Sequence, residues 1–252
     1  MARTPQRRRP KTWQPASKGP LLVHWFYDPT FSAESSKVRV DEVQHFKSLR
    51  IREGEGLVVT DGRGGVFLCE AANPGTGEVR VQSLEHKAPE TLQIQLIQGI
   101  AKGDRDELAL QASVELGCTS VVAWQAEHSV SRWTGKEDKN RERWQQIAIG
   151  AMKQSRQAFL PEISGPLSTA ALRPLGHGII LDPTAELSLA ELDREFASYS
   201  IVVGPEGGIS DSEIDQLKRA GFVSYRLGDA VMRTSTAGPA AIAALKTMRG
   251  LW

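Results

Sequence analysis

Apolar positions fall into two textures along the chain. Between residues 20 and 88 they come as short runs, Leu22–Tyr27, Gly56–Thr60, Val66–Ala71 and Glu78–Ser83, separated by Asp61-Gly62, Gly64-Gly65 and Pro74-Gly75-Thr76-Gly77. Short β-rich runs bounded by glycine turns predict strands, here a small β-barrel with one helix over Asp41–Leu49. His45 on that helix reads as a packed or capping histidine. Beyond Ala88-Pro89-Glu90, which reads as a linker, strand-like runs alternate with helical spacing. The strands are Leu92–Ile100, Ser120–Trp124, Gly178–Leu181, Tyr199–Val203 and Val223–Leu227. Asp104, with Glu107 three residues on, is expected to cap a helix that Gly117 ends. Trp144, Ile147, Ala148, Ala151, Met152 and Ser155 share one helical face, and Leu189, Leu192 and Phe196 predict a further helix. Ser210 and Glu213 have capping-box spacing ahead of inward-facing Ile214 and Leu217, and Gly221 ends that helix. The last helix is expected over Ala237–Met248, with Pro239 in its first turn, where a missing N–H costs nothing. Strands alternating with helices predict an α/β layer with a parallel sheet. The expected organisation is a disordered tail at 1–19, a β-barrel at 20–88 and an α/β domain at 89–252, with no internal repeat.

Two neighbouring strands run into glycine loops. Gly204, Gly207 and Gly208 follow the first, and Gly228 opens the second, which ends in Arg233, Thr234, Ser235 and Thr236. Open α/β sheets hold their ligands at the carboxyl ends of strands. One glycine loop by itself is an ordinary tight turn. Two at adjacent strand ends, the second rich in hydroxyls, favour a pocket. The spacing fits neither the phosphate loop nor the dinucleotide fingerprint, so the freed amides suit an adenine edge better than a phosphate.

Gly204-Pro205-Glu206-Gly207-Gly208, followed by Leu227-Gly228-x-x-Val231-x-Arg233-Thr234-x-Thr236-Ala237, resembles the ribosomal RNA small subunit methyltransferase E family of the SPOUT class. The resemblance continues through Ala101-Lys102-Gly103-Asp104-Arg105, Glu115-Leu116-Gly117, Glu127-His128-Ser129-Val130 with Arg132, Arg143-Trp144, Gln154-Ser155 and Leu160-Pro161. It also takes in His45 and Asp61-Gly62-Arg63-Gly64, so it covers roughly residues 20–252. It implies a SPOUT α/β trefoil-knot domain with a parallel sheet, preceded by a PUA-like RNA-binding β-barrel. It further implies S-adenosylmethionine as methyl donor, pairing into a homodimer, and methylation of N3 of uridine 1498 in the 16S rRNA of the small (30S) subunit.

The cofactor pocket implied by the resemblance comprises Leu181, Gly204, Pro205, Glu206, Gly207, Gly208, Leu227, Gly228, Val231, Met232, Thr234 and Ala237. Arg233 is expected to stabilise the uracil anion or its flanking phosphate, against a structural ion pair as the alternative. Glu206 either accepts the imide proton or holds the cofactor's ribose hydroxyls. Contacts to RNA are expected at Lys47, Arg50, Arg52, Lys102, Arg132 and Arg156, and a surface or packing role at His128. Several positions depart from the family pattern. Ala230 stands where the family usually has Arg, Ser235 where it has Glu, and Arg156-Gln157 reverses the usual order. Two further readings therefore stand beside the first: an RNA-binding SPOUT protein without activity, and a SPOUT methyltransferase acting on another RNA atom.

Charge changes this picture in one place only. The chain of 252 residues has a net charge of +1, which by itself predicts no polyanion partner. Residues 1–19, however, carry Arg3, Arg7, Arg8, Arg9, Lys11 and Lys18 and no acid; subtracting these six cations from +1 leaves the remainder at −5. Such a tail is expected to add salt-dependent, sequence-independent RNA affinity. Cys69 and Cys118 have no metal-ligand spacing and suit a reducing compartment, so no metal is expected. No apolar run reaches membrane-spanning length, and a cytoplasmic protein is expected.

Overall fold

The computed structural model describes residues 23–252, so the basic tail expected at 1–19 lies outside the described residues. The first part of the chain forms β1 (His24–Tyr27), α1 (Val40–Leu49), β2 (Gly56–Thr60), β3 (Gly65–Asn73) and β4 (Glu78–His86). These strands lie in the order β1-β2-β3-β4, antiparallel except that β1 runs parallel to β2. Alternate residues Phe67, Cys69 and Ala71 of β3 point inward and meet Phe26, Phe46, Leu57 and Val59 in one core. The Phe26 and Phe46 rings, 4.5 Å apart, fasten α1 onto β1.

The remainder builds one six-stranded sheet in the order β10-β8-β9-β5-β6-β7, parallel throughout. Its strands are β5 (Gln93–Gly99), β6 (Ser120–Trp124), β7 (Glu162–Leu167), β8 (His177–Leu181), β9 (Ser198–Val203) and β10 (Phe222–Tyr225). Side chains alternate across it. Ile94, Leu96, Val121, Ile179 and Ile201 pack on one face against α2 (Arg105–Glu115), α3 (Glu137–Gln154) and α5 (Thr234–Met248). Ile97, Val122, Ile180 and Val202 point the other way and meet Leu217 of α4 (Asp211–Arg219). Cover on both faces is why these strands read as unbroken apolar runs.

From β10, at the sheet's edge, the carboxyl end returns to the middle of the sheet. Leaving β10, Arg226 donates its N–H to Leu187 O and accepts from Leu189 N, both at 2.9 Å, while its guanidinium binds the carbonyls of Ala185 and Glu186. The chain then returns to the end of β9 and enters α5, which packs on α2, β5 and β9. The two parts of the molecule are joined where Gly64 N donates to Ala158 O (3.0 Å) and Leu160 N to Gly62 O (2.9 Å).

Several sequence expectations are corrected. Asp104 makes no side-chain cap; Asp106 instead accepts from the Ala101 and Glu107 amides at 3.1 and 2.9 Å, so the loop closes on the residue two further along. The helix expected through Leu189, Leu192 and Phe196 is a single 3-10 turn, Leu189–Glu191. Its capping box, Ser188 with Glu191, closes one turn only, and Leu192 is already extended (φ −61, ψ 135). α5 starts at Thr234 rather than Ala237, because Arg233 is the extended residue (φ −69, ψ 154) at its entrance. Pro239 therefore lies beyond the first turn and deprives the Ser235 carbonyl of its usual i+4 donor. β10 stops at Tyr225, short of Leu227, where Arg226 turns onto residues 185–189. Strand β7, interrupted by Gly165-Pro166, has no counterpart among the expected strands.

Candidate active site

The cleft lies at the carboxyl ends of β8, β9 and β10, where the loops after these strands face one another. It encloses about 530 Å³, within the roughly 300–1,000 Å³ of small-molecule sites. The loop after β9 is folded tightly. Gly208 takes φ +76, and its N–H donates to Pro205 O at 2.9 Å. A Cβ on Gly204 would come within 2.7 Å of the Ile209 side chain, so only glycine lets the loop double back there. The loop then feeds α4, whose entrance is the capping box read from the sequence: Ser210 Oγ accepts from Glu213 N and the Glu213 carboxylate accepts from Ser210 N.

Neighbouring elements hold that loop from three sides. Buried Glu213 also accepts from Glu127 N (2.9 Å) and Thr169 Oγ1 (2.7 Å). His128 Nδ1–H donates to Gly207 O at 3.0 Å, which is the packing role expected of this histidine. Thr234, at the start of α5, donates its hydroxyl to Gly204 O at 2.7 Å and accepts from Gln98 Nε2 at 2.8 Å. The first turn of α5 and the glycine loop are thereby one unit.

Glu206 projects from the loop toward α2, where its Oε1 accepts from Lys102 N (2.8 Å) and Arg105 Nη1 (3.0 Å). Partial burial alone would raise its carboxyl, but hydrogen bonds from the Glu206 and Lys102 amides and the Arg105 guanidinium outweigh that and hold it below the ordinary value. A carboxylate so held is a weak base and a good fixed acceptor. Arg233 lines the cleft, is exposed, and makes no ion pair among the described residues. Among the described residues the structural ion pair considered for it in the sequence is not formed.

Of the residues expected around a cofactor, all but Gly207 line this cleft. Gly207 is turned away, since a Cβ there would meet His128 Cβ at 2.8 Å. Sequence reasoning missed Asp182, Thr184, Ile209, Asp211 and Arg105, which also line it. Asp182 follows directly on β8, the same strand-end position that marked Gly204, and that signal was available for it. The residues expected to touch RNA do not form one cluster. Lys102 lies beside Glu206, Arg132 is exposed in the loop before α3, and Arg156 follows α3. Lys47, Arg50 and Arg52 are exposed at and after the end of α1. Among the described residues no group of three or more His, Cys, Asp or Glu is arranged to hold a metal ion, and no helix is long and apolar enough to cross a membrane.

Residues 88–246 match an RNA methyltransferase domain family, and residues 38–82 match an RNA methyltransferase PUA domain family. The ribosomal RNA small subunit methyltransferase E of Mycobacterium bovis is 34% identical over 92% of this chain and 94% of its own. That of Aquifex aeolicus is 34% identical over 85% of this chain and 95% of its own. Among solved structures, the Neisseria gonorrhoeae protein of the same name, bound to S-adenosyl methionine, superposes with a TM-score of 0.82 at 29% identity, covering 90% of this chain and 98% of that one. A probable rRNA-methyltransferase from Porphyromonas gingivalis gives a TM-score of 0.76 at 30% identity over 91% and 99%. The α/β unit is thus of SPOUT type and the N-terminal unit of PUA type, and the chain belongs to the ribosomal RNA small subunit methyltransferase E family.

Proposed function

We propose that this protein is an S-adenosylmethionine-dependent methyltransferase that modifies N3 of a uridine, the position numbered 1498, in the 16S rRNA of the small ribosomal subunit. The observation that carries the reading is the cleft itself. Its lining joins apolar Leu181, Leu227, Met232 and Ala237 to the carboxylates of Asp182, Glu206 and Asp211. Apolar walls suit an adenine ring, and carboxylates suit a ribose and a cationic sulfonium amino acid, so the residues present fit this cofactor. Bound there, S-adenosylmethionine supplies an electrophilic methyl group.

The chain's own residues supply position and charge. The N3 imide is protonated at neutral pH and gains negative charge as its proton passes to solvent water. Arg233, permanently cationic and unpaired among the described residues, stands at the cleft to stabilise that charge. Glu206 takes the second of its two expected roles, as a fixed acceptor for ribose hydroxyls, because its lowered pKa suits it poorly to take an imide proton. Thr234 holds Gly204 and so ties the loop to the start of α5. Within the organisation expected from sequence, residues 20–88 serve as the RNA-holding domain and 89–252 as the methyl-transfer domain. Val231 and Met232, exposed apolar side chains at the cleft's lip, support pairing of two chains there.

The test is nucleoside mass spectrometry of small subunits lacking the modification after incubation with the protein and labelled S-adenosylmethionine. The expected product is 3-methyluridine at one site. A 2′-O-methylated nucleoside would move the activity to another atom, and tight cofactor binding without product would leave an RNA-binding protein.

A further inference from the structure

A second cavity of about 690 Å³ lies between the two parts of the chain, away from the methyl-transfer cleft. β6 runs toward the cleft end of the sheet and α3 brings the chain back, so the last turns of α3 sit at the opposite end. One wall is formed by those turns, with Gln146, Gly150, Lys153 and Gln154, and by Arg156 beyond them; the other is formed by Trp25 of β1 and His45 of α1. We propose that this cavity holds one unpaired nucleotide of the RNA substrate, its base against Trp25 and its phosphate beside Lys153 and Arg156, as an anchor remote from the methylated base. The proposal rests on the reading above that RNA is the substrate.

Three observations carry it. The first is chemical: a half-buried indole, two carboxamides and two cations meet in one cavity. An indole takes the face of any unstacked base, carboxamides read its edge, and cations take its phosphate. The second is Gly150. It stands inside α3, where glycine weakens a helix, yet no atom lies within 4 Å of where its Cβ would be. No side chain among the described residues fills the space, and the cavity floor there is bare backbone open to a close-lying group.

The third is that the walls are tied in place before anything binds. Buried Glu42 of α1 accepts from Lys153 Nζ of α3 at 2.7 Å, from Tyr27 N at 3.2 Å, and pairs with His45 Nδ1 at 2.6 Å. One carboxylate therefore pins both walls and leaves the cavity preformed. Charge selects the occupant. Lys153, paired with Glu42, and Arg156 put cationic groups on the cavity wall, which complement a phosphate better than residues 1–19 with their six cations and no acid.

The experiment uses the full chain and a 4-thiouridine-labelled single-stranded fragment of small-subunit rRNA. Gly150→Gln fills the cavity with a good helix former, and Trp25→Ala removes the stacking face. Each is expected to weaken RNA binding about tenfold, in line with the loss of one base stack, with S-adenosylmethionine affinity by calorimetry unchanged. Photocrosslinks on the wild type are expected in peptides containing Trp25 or residues 146–156. Wild-type RNA affinity in both variants, or crosslinks confined to other peptides, overturns the proposal. So does a gain of RNA affinity at this site on deleting residues 1–19, which would make the tail the occupant. Failure of the wild type to form 3-methyluridine would sink the activity reading alone, because this test reads RNA binding only.

Discussion

Thr234 and Gly204 are tied across the mouth of the cleft. The Thr234 hydroxyl reaches the Gly204 carbonyl at 2.7 Å, and Gln98 reaches the same hydroxyl at 2.8 Å. The bond joins the first residue of α5 to the first residue after β9, elements separated in sequence by α4 and β10. Thr234→Val keeps the shape and removes both bonds, leaving the Gly204 carbonyl without this donor and Gln98 Nε2 with the Gly99 carbonyl alone. The expected cost is about 1–3 kcal/mol of stability, with S-adenosylmethionine affinity reduced about tenfold. Thr234→Ser is expected to restore both, as measured by urea unfolding and calorimetry.

Arg233 is argued to meet charge that develops only during reaction. Arg233→Ala is therefore expected to lower kcat on small subunits by roughly 100-fold or more, the scale of losing one charge-stabilising donor. Cofactor affinity should hold. Equal losses in cofactor affinity and rate would make Arg233 a binding residue.

Glu206 separates two roles by kinetics. As a general base it would need a pKa near the working pH, and the Lys102 amide and Arg105 hold it low, against the upward pull of burial. Glu206→Gln is expected to raise KM for S-adenosylmethionine while leaving kcat within a few-fold. A collapse of kcat at unchanged KM would restore the proton-acceptor role.

Asp106 predicts a pH dependence of stability. Burial, only partly offset by the Ala101 and Glu107 amides, pushes its carboxyl up from 3.8 to about 6. Protonation is thus easier in the folded state. The resulting stabilisation is complete below the unfolded value and disappears as pH rises through about 6. Unfolding free energy is expected to fall by on the order of 2–3 kcal/mol across that window. Asp106→Asn should flatten the slope in urea titrations at successive pH values.

Both cysteines are expected to resist alkylation in the native state. Burial pushes each thiol up to about 12, with the pull of Lys246 on Cys118 too small to reverse it, so almost no thiolate exists at neutral pH. Intact-mass measurement after iodoacetamide should show no adduct in buffer and two in denaturant.

Much of this protein is written locally. The runs at Ser120–Trp124 and Tyr199–Val203 announce parallel strands because both faces of each are covered, and Ser210 with Glu213 announces α4 because a cap needs only residues three apart. The glycine loops announce the cleft because backbone that must double back tolerates no side chain, and every expected cofactor residue but Gly207 lines it. What failed was also local in origin. Leu189, Leu192 and Phe196 have helical spacing, yet only one turn forms, and α5 begins before its apolar stripe.

Only the tertiary structure decided which distant groups meet. The sequence placed Glu206 in a ligand loop, but its partner Arg105 comes from a helix about a hundred positions earlier, and their meeting lowers the carboxyl. Arg156 and Trp25 carry no signal linking them until α3 is laid against β1. Side-chain periodicity reports which face of an element is buried, since burial acts on each residue separately. It is silent on which elements come together, because that depends on the order in which strands join the sheet and on the path by which the chain returns.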